Sequence, residues 1–120
     1  MQSFRRIDAW KRSHGLVLNI NRVSRDFPRR GHATLKSQMV RAAESIPFNI
    51  VEGCGASSNK EFARYLDISV KSTMEVEYQL QLARDYGALS KPAWQLLTGE
   101  VIEIRKMLCG FRRSVLERDA

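Results

Sequence analysis

Apolar residues recur at intervals of three and four along nearly the whole chain, and no stretch alternates residue by residue as a half-buried strand would. Three clusters of helix-breaking residues interrupt this pattern: "FPRRGHAT" (Phe27 to Thr34), "GCGASS" (Gly53 to Ser58) and "YGALSKP" (Tyr86 to Pro92). Four helices are therefore expected. The first runs from Asp8, as N-cap, to Phe27 and turns Leu16, Ile20, Val23 and Phe27 inward. The second starts after Thr34, ends near Gly53 and turns Leu35, Met39, Ala42, Ile46 and Ile50 inward. Ser58 with Glu61 three residues later forms a capping box for the third helix. That helix places Phe62, Leu66, Ser69, Thr73, Val76, Leu80 and Ala83 on one seam. Ser90 and Pro92 begin the fourth, with Trp94, Leu97, Val101, Ile104, Leu108, Phe111 and Val115 along its seam.

Short connections make consecutive helices antiparallel. Folding the third and fourth about residue 88 sets Ala83 near Trp94, Leu80 near Leu97, Thr73 near Ile104 and Leu66 near Phe111. Folding the first pair about residue 31 sets Trp10 near Gly53, Leu16 near Ile46 and Ile20 near Ala42. Small residues meet large ones both times, as a close-packed interior requires. The expected fold is all-α: one antiparallel up-down-up-down four-helix bundle over residues 1–120.

One segment strains this reading. "QMVRAAESIPFNIVEG" (Gln38 to Gly53) is helical in pattern but carries Pro47 in its middle. Proline lacks an N–H, so the Ala43 carbonyl loses its helical partner and the helix is expected to kink there without breaking. Ser45 and Asn49 flank the kink and can bond freed backbone groups. Gln38, Arg41, Ser45, Asn49 and Glu52 form a polar stripe along this helix, and Ser72, Glu75 and Gln79 form a second on the third helix. Folding the middle pair about residue 56 brings Glu52 near Lys60 and Arg64, and Arg41 within a turn of Glu75. Facing stripes suit either a buried network that fixes register or an outer face that meets another subunit. A subunit-facing network accounts better for polar order outside the monomer's core, and it is the expectation.

Composition narrows the class. A chain of 120 residues, 43% hydrophobic and 28% charged, makes one ordinary soluble domain. No apolar run approaches the roughly 20 residues of a membrane span, and "MQSFRRIDAWKRS" lacks the apolar segment of a secretory signal. With Cys54 and Cys109 read as buried thiols and not a disulfide framework, a cytoplasmic location is expected. The net charge of +7 is uneven. Residues 1–48 hold ten basic residues against Asp8, Asp26 and Glu44, and the remainder balances ten against ten. A basic half points to an anionic partner such as nucleic acid, against the plain alternative of a solvated basic surface.

Candidate chemistry is thin. No glutamate has a histidine three residues on, as an inward-facing di-metal carboxylate bundle needs. The two cysteines and two histidines lack zinc-site spacing. "GCG" follows a helix and has no lysine-serine sequel, so it suits a helix C-cap better than a phosphate loop. No serine or cysteine sits in an activated-nucleophile motif. His14 reads as a packed or interfacial imidazole. No cofactor, no metal and no enzyme activity are expected.

"SQMVRAAESIPFNIVEGCG", "KEFARYLDIS" and "KSTMEVEYQLQLARDYG", with "AWKRSHGLV" and "DFP" earlier, resemble the bacterial four-helix-bundle family of ribosomal-RNA intervening-sequence proteins. Some members of that family are encoded within large-subunit ribosomal RNA genes. Its fold is similar to that of the accessory protein of diversity-generating retroelements, which assists a reverse transcriptase and binds nucleic acid. The resemblance implies a homo-oligomeric ring, pentamers among the possibilities, with no established enzymatic activity. Two positions depart from the family pattern: Ala56 stands where an arginine is usual, and Lys71 where a glycine is common.

Two function classes follow. In the first, the chain binds RNA or DNA through backbone phosphates, with Arg22, Arg25, Arg29, Arg30 and Lys36 as the contacts. No aromatic interleaving of the kind single-strand binders use accompanies them. In the second, the chain is a protein-interaction scaffold with a partner protein on its rim.

Overall fold

A computed structural model describes residues 3–28 and 31–118. A 3-10 turn, Phe4–Arg6, leads into α1 (Asp8–Arg25), followed by α2 (Ala33–Cys54), α3 (Asn59–Asp85) and α4 (Lys91–Glu117). Each helix packs on its two neighbours around a square, α1 on α2, α2 on α3, α3 on α4 and α4 back on α1, with no diagonal pair among the described residues. The result is a rod of 50 × 20 × 20 Å. Its length somewhat exceeds that of the longest helices, since 27 residues at about 1.5 Å each span roughly 40 Å.

The apolar seams do what their spacing predicts. Leu16, Ile20, Met39, Ile46, Ile50, Leu66, Val76, Leu80, Val101, Ile104, Leu108 and Val115 are fully buried. Val23, Trp94 and Phe111 are only partly buried against this core. They lie toward the ends of their helices, where fewer neighbours surround them.

Helix boundaries depart from expectation where local chemistry decides them. Asp8 is not the cap of α1; Ile7 is, without a side-chain cap bond. Ile7 is buried, and its carbonyl accepts from the Lys11 N–H, so a hydrophobic anchor fixes how the chain enters this helix. Asp8 sits in the first turn, where a carboxylate complements the helix dipole. The helix stops at Arg25, two residues short, yet Phe27 stays buried with its N–H on the Ser24 carbonyl.

α2 runs without interruption through Pro47. The glycines after it serve two purposes. Gly55 is the C-cap, at φ −89°, so it ends the helix without the left-handed conformation that favours glycine. Gly53 lies inside the helix against Phe62, and a Cβ there would sit 2.7 Å from the ring's Cε1 and nearer still to Cδ1. Its missing side chain lets α2 and α3 close up. At the start of α3, Ser58 Oγ accepts from the Glu61 N–H at 3.1 Å. The return bond of the box goes elsewhere: the Glu61 carboxylate accepts from the Ser57 N–H and hydroxyl at 3.1 and 2.8 Å. Those bonds hold the Glu61 carboxyl below its ordinary pKa.

Polar contacts also lock neighbouring helices. The Ser69 hydroxyl donates to the Ile46 carbonyl at 2.9 Å, tying α3 to α2 inside the core. Arg105 of α4 reaches α3, donating from Nε to Thr73 Oγ1 at 2.9 Å and from Nη2 to Glu77 at 2.6 Å. Arg112 pairs with Asp67 across the same two helices at 2.5 Å.

Candidate nucleic-acid interface

The loops joining α1 to α2 and α3 to α4 lie at one end of the bundle, where the His32 and Tyr86 rings stack at 5.8 Å and 20°. Four helix termini converge there. Arg22 and Arg25 occupy the last turn of α1, and both are exposed. Lys36, also exposed, stands in the first turn of α2, and Lys91 opens α4. Neither α2 nor α4 has an acidic residue in its first turn. None of these four cations is in an ion pair among the described residues. Arg84, in the last turn of α3, is engaged: its guanidinium lies 4.2 Å over the Trp94 ring and pairs with Asp85 at 3.1 Å. Asp85 is held below its usual pKa by Gln81 and Arg84. Asp26 is the remaining acid at this end. Arg29 and Arg30 lie outside the described residues.

The two polar stripes meet in a groove of about 420 Å³ between α2 and α3, lined by Gln38, Arg41, Ser45, Ser72, Glu75 and Gln79. Its floor is hydrogen-bonded. The Ser72 hydroxyl donates to Ser45 Oγ at 2.8 Å, and Asn49 Nδ2 donates to Ser45 Oγ and to the Ser45 carbonyl at 3.0 and 2.8 Å. Gln79 Oε1 is buried with no hydrogen-bond partner among the described residues. Its rim carries Gln38, Arg41 and Glu75, all exposed, with no ion pair between Arg41 and Glu75. Glu52 is exposed beyond the groove and forms no ion pair with Lys60 or Arg64.

On the other side of α2 lies an apolar groove of about 280 Å³, whose walls include Phe4, Trp10, His14, Pro47 and Phe48. His14 stacks flat on Trp10 at 5.0 Å and 9° while remaining exposed. Phe48 is 64% exposed beside it. Cys54 is partly buried, which raises its thiol pKa, whereas Cys109 is exposed, contrary to the reading of both thiols as buried. No group of three or more metal-binding side chains occurs among the described residues, and no described helix is long and apolar enough to cross a membrane.

Sequence reasoning missed the His32–Tyr86 stack, because these residues belong to separate loops and carry no shared periodicity. It also missed Arg105, which neighbours Ile104 in an apolar seam; Thr73, a polar residue at an inward position, was the available signal.

The profile of the "23S rRNA-intervening sequence protein" family matches residues 5–110. No curated protein matches the chain. Among solved structures, the chain is similar to a crystal structure of a protein of unknown function from the S23 ribosomal protein family of Bacteroides thetaiotaomicron. The TM-score is 0.81 at 23% identity, covering 88% of this chain and 95% of that one. At that identity the likeness speaks to the fold.

Proposed function

We propose a function from one premise: the chain belongs to the 23S rRNA-intervening sequence protein family. It acts as a non-enzymatic, basic, oligomeric bundle that holds RNA or DNA by the backbone phosphates. One observation carries this reading. Cations at a helix C-terminus, such as Arg22 and Arg25, stabilise the helix by complementing its dipole. Lys36 and Lys91 stand at helix N-termini, where a positive charge opposes the dipole. Helix stability therefore explains the first pair but not the second. An end that gathers exposed cations at C-termini and N-termini alike, with two N-termini free of acids, is suited to anions.

Self-association supplies the remaining strength. Arg41 and Glu75, opposite in charge and in no ion pair among the described residues, fit a second copy at the polar groove. A ring of copies would present the same basic end several times to one nucleic acid.

The test is binding to RNA and DNA over a range of salt. Each phosphate neutralised contributes a slope of about −0.9 for duplex DNA, or about −0.7 for single strands, to log K against log salt. Arg25→Ala with Lys36→Ala should weaken binding equally on unrelated sequences and flatten the slope by up to about two such units. Both residues are exposed, so helicity should hold. Unchanged affinity and slope would shift the reading to a protein scaffold, which the exposed Phe48 beside the apolar groove favours.

A further inference from the structure

The basic end also carries an aromatic surface. Tyr86 caps the C-terminus of α3 and is 58% exposed, although tyrosine is large and mostly apolar. It is not loosely held. Its N–H donates to the Leu82 carbonyl at 2.8 Å, Gly87 follows at φ +78° to turn the chain away, and the His32 ring stacks against it. His32 is itself the N-cap of α2, and its carbonyl accepts from the Lys36 N–H at 2.9 Å. An exposed ring is thus stacked on a residue that stands one helical turn before Lys36, a lysine that is exposed and in no ion pair among the described residues, at the end that also bears Arg22, Arg25 and Lys91.

We propose that Tyr86, backed by His32, is a stacking platform for an unpaired nucleobase whose flanking phosphates lie on Lys36 and the neighbouring cations. This rests on the nucleic-acid reading above and narrows it to single strands, loops or ends. Bases within a duplex are already stacked on both faces and cannot lie flat on a protein ring, whereas an unpaired base offers a free face. Cations alone would hold duplex and single strand alike. A ring fixed among them distinguishes the two. Stacking reads neither base identity nor the 2′-hydroxyl, so RNA and DNA single strands should both bind.

The experiment measures fluorescence anisotropy of labelled single-stranded RNA, single-stranded DNA and a duplex of equal length, with the full chain. Tyr86→Ala should weaken both single strands by about tenfold or more and leave the duplex unchanged. Tyr86→Phe, which keeps the ring, should retain single-strand affinity. Tyr86→Trp should bind as well, with its added emission quenched by single strands only; circular dichroism and light scattering check that each variant keeps its fold and mass. Equal single-strand affinity in Tyr86→Ala, or an equal loss on the duplex, would overturn the platform while leaving the phosphate reading standing. Failure of the parent protein to bind any of the three would overturn both.

Discussion

Replacing Gly53 with alanine places a methyl group where the Phe62 ring already lies. The added Cβ would be 2.7 Å from Cε1, closer to Cδ1, and 3.3 Å from the Tyr65 Cβ, whereas carbon atoms rest at about 3.5–4.0 Å. Phe62 must therefore retreat by roughly 1 Å or more. It has little room, being buried and set edge-on against Phe111 at 5.5 Å. Overpacking of this kind costs about 1–3 kcal/mol, and disturbing the aromatic pair about 0.5–1.5 more. Alanine in a helix interior returns about 1 kcal/mol relative to glycine. The expected net loss is about 0.5–3.5 kcal/mol, a fall of roughly 2–14 °C in Tm at about 4 °C per kcal/mol for a chain of this size. Gly99→Ala is the control, because nothing lies within 4 Å of a Cβ at that position of α4. It should stabilise by about 0.5–1 kcal/mol. Urea and thermal melts at one fixed protein concentration would measure both. Gly53→Ala melting at or above the parent would refute the close-approach argument, and so would a penalty that Phe62→Leu fails to relieve.

Four further outcomes are expected. Ser58→Ala should cost about 1 kcal/mol through loss of the cap on α3. Because Glu61 has a depressed folded pKa, its contribution is present above the unfolded carboxylate range and is lost as pH falls through the folded value; stability measured against pH should lose part of its acid limb in Glu61→Gln. Pro47→Ala restores an N–H for the Ala43 carbonyl and should be neutral or stabilising by urea melt, with a clear loss of stability counting against that account. Glu75→Ala and Asn49→Ala should stay helical but shift the light-scattering mass toward smaller species; two variants of parental mass would make the groove a solvent-facing feature.

The four helices and their inward seams were legible because burial follows a period that three- and four-residue spacing records directly. Thr73 and Ser69, polar but on the seam, proved buried, so position outweighed residue type. The start of α1 was less legible, since Asp8 is an ordinary capping residue and only packing shows that Ile7 holds that place. A glycine after a helix reads the same whether it ends the helix or admits a neighbour, and the distinction at Gly53 lies in Phe62, across the bundle. The polar stripes were visible as spacing; their division into a bonded floor and an exposed rim was not, because it depends on how closely α2 approaches α3. Arg22, Arg25 and Lys36 can be singled out as candidates from charge alone, but the aromatic pair at the same end requires two distant loops to meet.

The square arrangement of helices also bears on how the chain assembles. Three of its four helix pairings join consecutive segments, and only α1 against α4 closes over a long stretch of sequence. Contacts of low sequence separation form with little loop-closure entropy, so this topology belongs with fast-folding bundles. The α2–α3 hairpin is the natural first unit. It has a short connection at 55–58, an internal hydroxyl bond from Ser69 to Ile46, a second between Ser72 and Ser45, and the tight Gly53–Phe62 crossing. α1 and α4 then dock last, on either side, and their mutual contact seals the rod. Amide exchange should accordingly be slowest along α2 and α3 and fastest where α1 and α4 meet.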